Sequence, residues 1–323
     1  MTKGTFISWT RHDRRSELLA YQFGLSLHFI YHGPKGWRPR QAVRYITQAK
    51  ETWRVLCSER PKVIFVQNPP IFAVPVVLLY SLRHTAQYII DSHTAAFLSF
   101  PWSWLVWLHR ILSKKALTTI VHNKDQEKIV QRWGCRYHVS GFTPGDYSYD
   151  EDFPLSGQFN VAVITIFSRD EPLETVFEAA NQVPGVDFYI TGDYRKIPEG
   201  RLSKKPDNCH LTGYLSYGQY VSLLRKADAV MDLTTRDHTI LMGGFEAVSL
   251  GTPLITSNWP ILKDYFSLGT VHVSNTAEGI CGGVRQVQSN RDSLRLGIQQ
   301  LRDRLQREWE QEFEELQSLI ANG

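Results

Sequence analysis

The chain has 323 residues, of which 42% are hydrophobic and 21% are charged. This length is comfortable for two domains of ordinary size, and the composition excludes a largely disordered chain. The net charge of +4 is mild. It suits a protein that handles anionic small molecules or lies on an acidic lipid surface, and we expect no nucleic-acid partner.

The cysteines and the hydropathy pattern indicate the cellular compartment of the protein. Cys57, Cys135, Cys209 and Cys281 are scattered without a C-x-x-C pair, which indicates a reducing compartment and neither a zinc site nor a disulfide framework. The first four residues lead straight into an apolar strand, so we expect no signal peptide. No apolar run reaches the roughly 20 residues that span a bilayer. We therefore expect a cytoplasmic protein.

In the first half of the chain, apolar runs of strand length alternate with helical patterns. The predicted strands are residues 5–9, 26–31, 62–67, 87–91 and 118–122. The predicted helices are residues 17–22 behind an N-cap at Ser16, about 41–57, the apolar stretch 71–82, and the segment from the cap Asn123 to about 133. This alternation predicts a parallel doubly wound sheet, with ligands beyond the carboxyl ends of its strands.

The pattern stops between Gly141 and Gln158, which we predict to be a linker. It then restarts, with predicted strands at 161–166, 186–191, 210–212, 229–233, from 254 and at 270–273, and predicted helices at 171–182, 216–225 and about 293–320. We therefore predict an acceptor-side domain at 1–150, a nucleotide-sugar-binding domain at 151–292 and a C-terminal helix at 293–323 that crosses back to the first domain. Two α/β halves joined by one linker predict a cleft between them.

The most informative stretch is residues 229–260, which form a predicted βαβ unit. Gly243 and Gly244 open its helix, and Gly251 ends it. The start of such a helix carries free backbone N–H groups and a positive dipole, so we predict that these two amides bind a diphosphate. Glu246 follows closely. A buried, unpaired carboxylate costs several kcal/mol by order of magnitude, which favours contact with ribose hydroxyls. The alternative is a helix start of purely structural use.

The segment from Gly243 to Ser257 resembles the nucleotide-binding helix of the GT-B glycosyltransferases, in particular the retaining family 4. The resemblance implies two Rossmann-like domains facing across a cleft. It also implies sugar transfer from a nucleotide-diphosphate sugar, as co-substrate, without a metal or another cofactor. The family usually has a Glu-x7-Glu pair, whose second Glu contacts the ribose and whose first contacts the donor sugar. Glu246 matches the second position. His238 stands in the first, and this departure leaves the identity of the sugar open.

The same resemblance assigns further site residues. Asp91-Ser92-His93 resembles the site whose histidine lies near the sugar carbon under attack, so His93 and Glu246 are the predicted catalytic residues. Arg169 follows the first strand of the second domain, where family members present a basic residue to the diphosphate. Asp170 or Glu171 could pair with it instead.

Three more positions complete the predicted site. Arg14 and Arg15 lie in the loop after the first strand, where the family approaches the donor phosphates and the acceptor. A solvated loop face is the alternative. Tyr214 is a candidate for stacking on the base, although packing would explain a tyrosine there equally well. His238 is either a contact to the sugar or phosphate, or a surface residue of its loop.

The stretch from Ala95 to Leu112 is unusually rich in aromatic residues. Trp102, Trp104 and Trp107 precede a basic pair at Lys114-Lys115. Core packing and attachment to a membrane interface both explain this composition. Family members that use lipid-linked acceptors commonly dock by such a segment.

Our main hypothesis is a glycosyltransferase of the hexosyltransferase type, with a glycan or lipid-linked acceptor, in polysaccharide or glycoconjugate synthesis. One alternative is a UDP-sugar epimerase of the same fold, which needs acid and base carboxylates facing the sugar. Another is a non-catalytic sugar-nucleotide-binding subunit of a polysaccharide assembly complex, which the departure at His238 favours.

Overall fold

The computed structural model describes residues 4–33, 38–149, 151–197, 199–202 and 204–322. The chain divides into two compact units. Unit 1 comprises Met1–Thr143 and Glu308–Gly323, and unit 2 comprises Pro144–Arg307. Each unit contains one six-stranded sheet.

The sheet of unit 1 is parallel throughout. Its strands are β1 (Gly4–Ser8), β2 (Ser26–Phe29), β3 (Val63–Asn68), β4 (Gln87–Ser92), β5 (Thr118–Val121) and β6 (Tyr137–Val139). They are ordered β2-β1-β3-β4-β5-β6. The order reverses between β1 and β3, so the carboxyl ends of these two strands form a switch point at which α/β sheets bind ligands.

Helices connect these strands. They are α1 (Arg14–Phe23), α2 (Arg38–Glu59), α3 (Ala73–His84), α4 (Ala95–Leu98), α5 (Val106–Ser113) and α6 (Lys124–Trp133), with a 3-10 turn at Trp102–Leu105. A core of buried aliphatic side chains joins the sheet to α2, α3 and α5 and includes Ile64, Ile90 and Val77. Strand side chains alternate between the two faces of the sheet, so neighbouring residues serve different helix layers.

Unit 2 repeats this plan. Its strands are β7 (Phe159–Val163), β8 (Val186–Thr191), β9 (Cys209–Gly213), β10 (Ala229–Asp232), β11 (Leu254–Ser257) and β12 (Thr270–Val273), in the parallel order β12-β11-β10-β7-β8-β9. Its helices are α7 (Leu173–Ala180), α8 (Glu199–Leu202), α9 (Tyr217–Lys226), α10 (Met242–Leu250), α11 (Pro260–Tyr265) and α12 (Ala277–Asn322), with a 3-10 turn at Tyr194–Lys196. The order reverses between β7 and β10, which places the loops after these two strands side by side.

The end of α12 belongs to unit 1. The ring of Phe23, at the end of α1, lies 4.6 Å from that of Phe313 and 6.5 Å from that of Trp309, measured between centroids. Phe23 also contacts Phe65 of β3 at 5.2 Å. The C-terminal turns therefore cover the sheet face that carries α1.

The predicted fold class, an α/β protein with two doubly wound parallel sheets, is confirmed. Local details differ. The N-cap of α1 is Asp13 rather than Ser16, because the Asp13 carboxylate accepts the backbone N–H of Ser16. The sequence prediction missed β6, whose three residues are only half-buried. It also began the last helix too late, since α12 starts at Ala277 and passes through a non-helical residue at Asn290.

Candidate functional site

The loop after β7 is closed on itself by one carboxylate. Glu171 accepts the backbone N–H groups of Ile166 at 3.1 Å and Ser168 at 2.9 Å, and also the hydroxyl of Thr165. Inside this loop Phe167 adopts a left-handed backbone with φ of 61°. Such a conformation is costly for a bulky residue and persists where the surroundings fix it. The loop at the switch point of unit 2 is therefore built to hold one shape.

Arg169 is exposed on this loop. Its two acidic neighbours are engaged elsewhere: Glu171 holds the loop, and Asp170 pairs with Arg236 at 3.1 Å and accepts the hydroxyl of Thr234 at 3.3 Å. Arg169 forms no ion pair with any residue that the structure describes. The alternative of a local pair with Asp170 or Glu171 is therefore not what the structure shows, and a guanidinium at this edge is available to an anion.

Gly243 and Gly244 lie in the first turn of α10 and are buried. A Cβ on Gly243 would come within 2.5 Å of Asp232 Oδ2, and one on Gly244 within 2.5 Å of the Phe266 ring. Close packing therefore requires glycine at both positions. The Asp232 carboxyl therefore lies close beneath this turn. That the two amides bind a diphosphate stays a prediction.

Burial raises the pKa of Asp232 well above its usual range, and the nearby carboxylates of Glu246 and Glu171 raise it further. The amides of Gly243 and Gly244 oppose this effect without reversing it. Asp232, beneath the start of α10, therefore holds its proton more tightly than an exposed aspartate does. In its protonated form it does not repel a bound anion. The sequence prediction missed Asp232 because it lies inside the predicted strand 229–233.

Glu246 is buried, and its Oε2 accepts the hydroxyl of Tyr220 at 2.5 Å. Burial and the adjacent Glu246 carboxylate raise the pKa of Tyr220 well above its usual range. Tyr220 therefore keeps its proton and donates it to Glu246. This bond fixes the orientation of the carboxylate that is predicted to contact ribose. Tyr220 was not predicted, since it lies on α9, 26 positions away.

The remaining predicted residues of unit 2 lie on exposed loops. Tyr214, just beyond β9, is 87% exposed, so packing does not explain it. His238 lies between β10 and α10 with a left-handed φ of 57° and pairs with Asp237 at 3.1 Å. The structure places both at the carboxyl edge of the unit 2 sheet, together with Arg169.

In unit 1 a buried carboxylate organises the carboxyl edge of the sheet. Asp91, at the end of β4, lies 3.1 Å from His93 Nε2 through Oδ2 and 3.2 Å from His122 Nε2 through Oδ1. Arg15 Nε donates to Oδ1 at 3.3 Å. His93 is about one-fifth exposed, lies 4.0 Å from Asp13 and contacts Gln67 of β3. The predicted catalytic histidine is therefore at the surface of a buried ionic network.

This network sets two imidazoles in different states. Burial raises the pKa of Asp91, but Arg15, His93 and His122 outweigh it and hold that pKa well below its usual range. Burial lowers the pKa of His93, yet Asp13 and Asp91 raise it overall. Burial and Arg15 lower the pKa of His122 to about 3, against Asp91. Of the two rings on Asp91, His93 therefore takes a proton more readily and His122 stays neutral.

Asp91, His93 and His122 offer ligand atoms within 4.8 Å of one another, a spacing that suits a metal ion. The guanidinium of Arg15 lies on the same carboxylate. A cation would meet its positive charge at short range. We therefore interpret the cluster as an ion-pair network.

Arg15 departs from its predicted role. It is buried in α1, and it also donates to the backbone oxygens of Ser140 at 2.7 Å and Gly141 at 3.1 Å. All of these partners belong to unit 1, so Arg15 positions Asp91 rather than contacting phosphate. Arg14 is the outer of the two and lies 3.2 Å from Glu17.

The tryptophan segment is mostly exposed. Trp104 is 76% exposed and Trp107 is 61% exposed, and Leu98, Phe100 and Ile111 are exposed as well. Trp102 is half-buried against Phe72. Core packing therefore fails as an explanation for Trp104 and Trp107. In the part of the chain that the structure describes, no helix combines the length and the apolar character needed to cross a membrane.

Comparisons with known proteins bear on the whole chain. Residues 169–316 match a family model described as glycosyl transferase-like. The structure superposes on sucrose-phosphate synthase from Thermosynechococcus elongatus with a TM-score of 0.74 and 13% identity, covering 99% of this chain and 98% of that one. The chain has the GT-B fold.

Two other solved structures share this GT-B fold. Anabaena HepE in complex with UDP and glucose superposes with a TM-score of 0.69 and 13% identity, over 97% of this chain and 91% of that one. A putative UDP-N-acetylglucosamine 2-epimerase from Listeria monocytogenes superposes with a TM-score of 0.65 and 12% identity, over 98% of both. No curated protein matches the chain in sequence.

Proposed function

We propose that this chain is a glycosyltransferase that moves a sugar from a UDP-sugar to a glycan or lipid-linked acceptor, of the retaining, metal-independent type of family 4. The single observation that carries the proposal is the switch point of unit 2. There the buried Glu246 follows the glycine pair of α10, within the segment that matches a glycosyl transferase-like model. UDP is proposed because HepE was solved with UDP and glucose.

Unit 2 is the proposed donor-binding unit. Glu246, oriented by Tyr220, would accept the ribose hydroxyls, and Tyr214 would stack on the base. Arg169 would pair with the diphosphate, aided by the positive end of α10. The raised pKa of Asp232 favours its protonated form, which lessens the negative charge beneath the phosphates.

The chemistry follows from charge development. When the bond from the sugar to the diphosphate breaks, negative charge grows on the leaving oxygen, and Arg169 with the α10 dipole stabilises it. The acceptor hydroxyl would attack on the face of the leaving group and give its proton to the departing phosphate, as the resemblance to retaining enzymes implies. We assign His93 the hydrogen bond to the transferred sugar and Arg14 a contact with the acceptor or phosphates. His238, next to α10, would contact the sugar in place of the family's Glu.

A panel of UDP-, GDP- and ADP-sugars tests this proposal. We expect UDP-sugars alone to be transferred or slowly hydrolysed, and we expect Arg169→Ala to weaken UDP binding more than uridine binding, because the cation contacts the diphosphate. Tight binding of every nucleotide sugar without any turnover would instead support a non-catalytic binding subunit.

Epimerisation of a UDP-sugar is the second candidate function. The observation that favours it is the similarity to a putative UDP-N-acetylglucosamine 2-epimerase. His93 of unit 1, oriented by Asp91, would supply one acid–base group. Recovery of an isomerised UDP-sugar, with solvent deuterium at the inverted carbon, would identify this activity; a glycoside product would identify transfer.

We further propose that the protein works on the cytoplasmic face of a membrane, docked through residues 95–112. Exposed Trp104 and Trp107 with nearby Lys114 and Lys115 are the composition of an interfacial segment. Co-sedimentation with acidic vesicles tests this attachment. We expect the double variant Trp104→Ser, Trp107→Ser to lose most of the pelleted protein, and equal pelleting would contradict it.

A further inference from the structure

A groove of about 480 Å³ lies between α2 and α3 in unit 1, and His93 is not among the residues that line it. Its lining consists of Ala49, Lys50, Trp53, Arg54, Pro75, Val76 and Leu79. Five of these residues are apolar, and the two cations both come from α2. The groove therefore has an apolar floor with positive charge along one side.

The cations are placed to meet a ligand. Lys50 and Arg54 are exposed and one turn apart on α2, and neither forms an ion pair with a residue that the structure describes. The acid between them in sequence, Glu51, is about 100° from Lys50 and about 60° from Arg54 around the helix. It pairs with His32 at 2.5 Å. The floor is held in place, since the Trp53 ring packs edge-on against Tyr80.

The apolar surface does not stop at the groove. Exposed apolar side chains continue it on all three helices of this sheet face, namely Val43 and Ile46 on α2, Leu82 on α3, and Trp107 and Ile111 on α5. Contiguous apolar surface of this kind marks an interaction site on a folded protein. The surface thus reaches well beyond the segment at residues 95–112.

The charge around the groove indicates which kind of ligand it binds. Between Glu59 and Asp125 the sequence contains a single acidic residue, Asp91, and that residue is buried. Over the same stretch the cations include Arg83 and Arg110. On α2, Glu51 adds one partly exposed carboxylate, which pairs with His32. The other side chains, apolar and cationic, complement an anionic lipid, which combines apolar chains with a phosphate.

We propose that the groove between α2 and α3 is a binding site for one anionic membrane lipid. An acyl chain lies on the floor formed by Trp53, Val76 and Leu79, and the lipid phosphate pairs with Lys50 and Arg54. This site deepens the proposed membrane attachment by adding a specific lipid contact. It involves no sugar nucleotide, so its test is independent of transferase activity.

The probe is dodecyl phosphate below its micellar concentration, with binding to the full chain measured by titration calorimetry. Lys50→Glu with Arg54→Glu should weaken binding at least tenfold, because two cations that attract the anionic headgroup are replaced by two carboxylates that repel it. The matched control reverses two cations on α6, Lys128→Glu with Arg132→Glu, and should bind as the wild type does. Equal weakening of binding by the two double variants would show that only net charge matters, and it would overturn the proposed site.

A second experiment tests the contact between the groove and the acyl chain of the lipid. Leu79→Gln should weaken dodecyl phosphate binding about fivefold by removing apolar contact. Leu296→Gln, at another exposed leucine in unit 2, should have no effect. Inorganic phosphate alone should not compete. Competition by inorganic phosphate, or unchanged binding by Leu79→Gln with an unaltered unfolding curve, would overturn the lipid assignment. Retained dodecyl phosphate binding in a variant with Trp104→Ser and Trp107→Ser would support a separate site.

Discussion

The carboxyl edges of the two sheets handle buried carboxylates in opposite ways. In unit 1, Asp91 keeps its charge because Arg15 and two imidazoles surround it. In unit 2, burial and then the nearby carboxylates of Glu246 and Glu171 raise the pKa of Asp232 well above its usual range. The surroundings of the same residue type at the end of a parallel strand thus favour the anion in one unit and the protonated acid in the other.

The difference teaches what each edge is suited to hold. A balanced network such as that around Asp91 needs no further ion and serves to orient a side chain, here His93. At the unit 2 edge the carboxylates of Asp232 and Glu246 are buried, and Arg169 is exposed without an ion pair among the described residues. Its guanidinium can therefore pair with an incoming anion. The balance of charges therefore suits the unit 1 edge to orienting a side chain and the unit 2 edge to binding an anionic ligand.

Breaking the unit 1 network should have the largest effect. Asp91→Ala leaves the buried Arg15 guanidinium without its carboxylate, so we expect the free energy of unfolding to fall by about 3–5 kcal/mol. Urea unfolding measures this loss. Asp125→Ala, which removes an exposed pair with Lys128, should change it by about 0–1 kcal/mol. A loss for Asp91→Ala no larger than this would show that the network is not stabilising.

Neutralising the unit 2 carboxylate should act on function instead. Glu246→Gln weakens a charge-assisted acceptor for ribose hydroxyls, so we expect kcat/KM for the UDP-sugar to fall about 10- to 150-fold with little change in stability. Steady-state kinetics measures the fall, and the exposed Glu178→Gln on α7 serves as the control. Near-normal turnover by Glu246→Gln would reject the donor site.

Removing the hydroxyl that orients this carboxylate should have a smaller effect. Tyr220→Phe keeps the ring but loses the hydrogen bond to Glu246, and we expect about a 3- to 10-fold loss in kcat/KM. If Tyr220 acts through Glu246, its effect should shrink in a Glu246→Gln background. Independent, additive losses would mean that Tyr220 contacts the substrate directly.

A pH-dependent effect on stability concerns a neutral histidine of unit 1. Burial lowers the pKa of His109 to about 3, whereas an unfolded chain titrates histidine near 6.5. Between these values the unfolded state binds a proton that the folded state does not, so stability falls as the pH falls, by about 1.4 kcal/mol per pH unit. His109→Gln should lower this slope by that amount in urea unfolding between about pH 6.5 and pH 4. Leu112→Val, another core change, should keep the wild-type slope.

Local pattern predicted most of the fold because strands and helix caps leave short-range signals. The bounds of β8 and β12 match their predicted ranges, and α6 begins behind its predicted cap Asn123. Sequence patterns fail to predict structure where a specific side-chain contact decides the outcome. Asp13, and not Ser16, is the cap, because its carboxylate accepts the backbone N–H three residues further on. The sequence alone is compatible with either residue as the cap.

The candidate site was less predictable for a related reason. Loop positions such as Arg169 and Tyr214 follow from the carboxyl ends of strands, which sequence can place. The pairing of Arg15 with Asp91 spans 76 positions, and that of Tyr220 with Glu246 spans 26. No periodicity carries such information. The close approach of Asp232 to Gly243 depends on packing at the level of single atoms.

One consequence of the C-terminal helix concerns biosynthesis. The rings of Trp309 and Phe313 cover Phe23, yet almost three hundred residues separate them from it. A ribosome that has released the first 143 residues has therefore not yet made the part of α12 that completes unit 1. Unit 2 is contiguous and can close as soon as it emerges. The N-terminal unit, although translated first, is the one whose assembly finishes last.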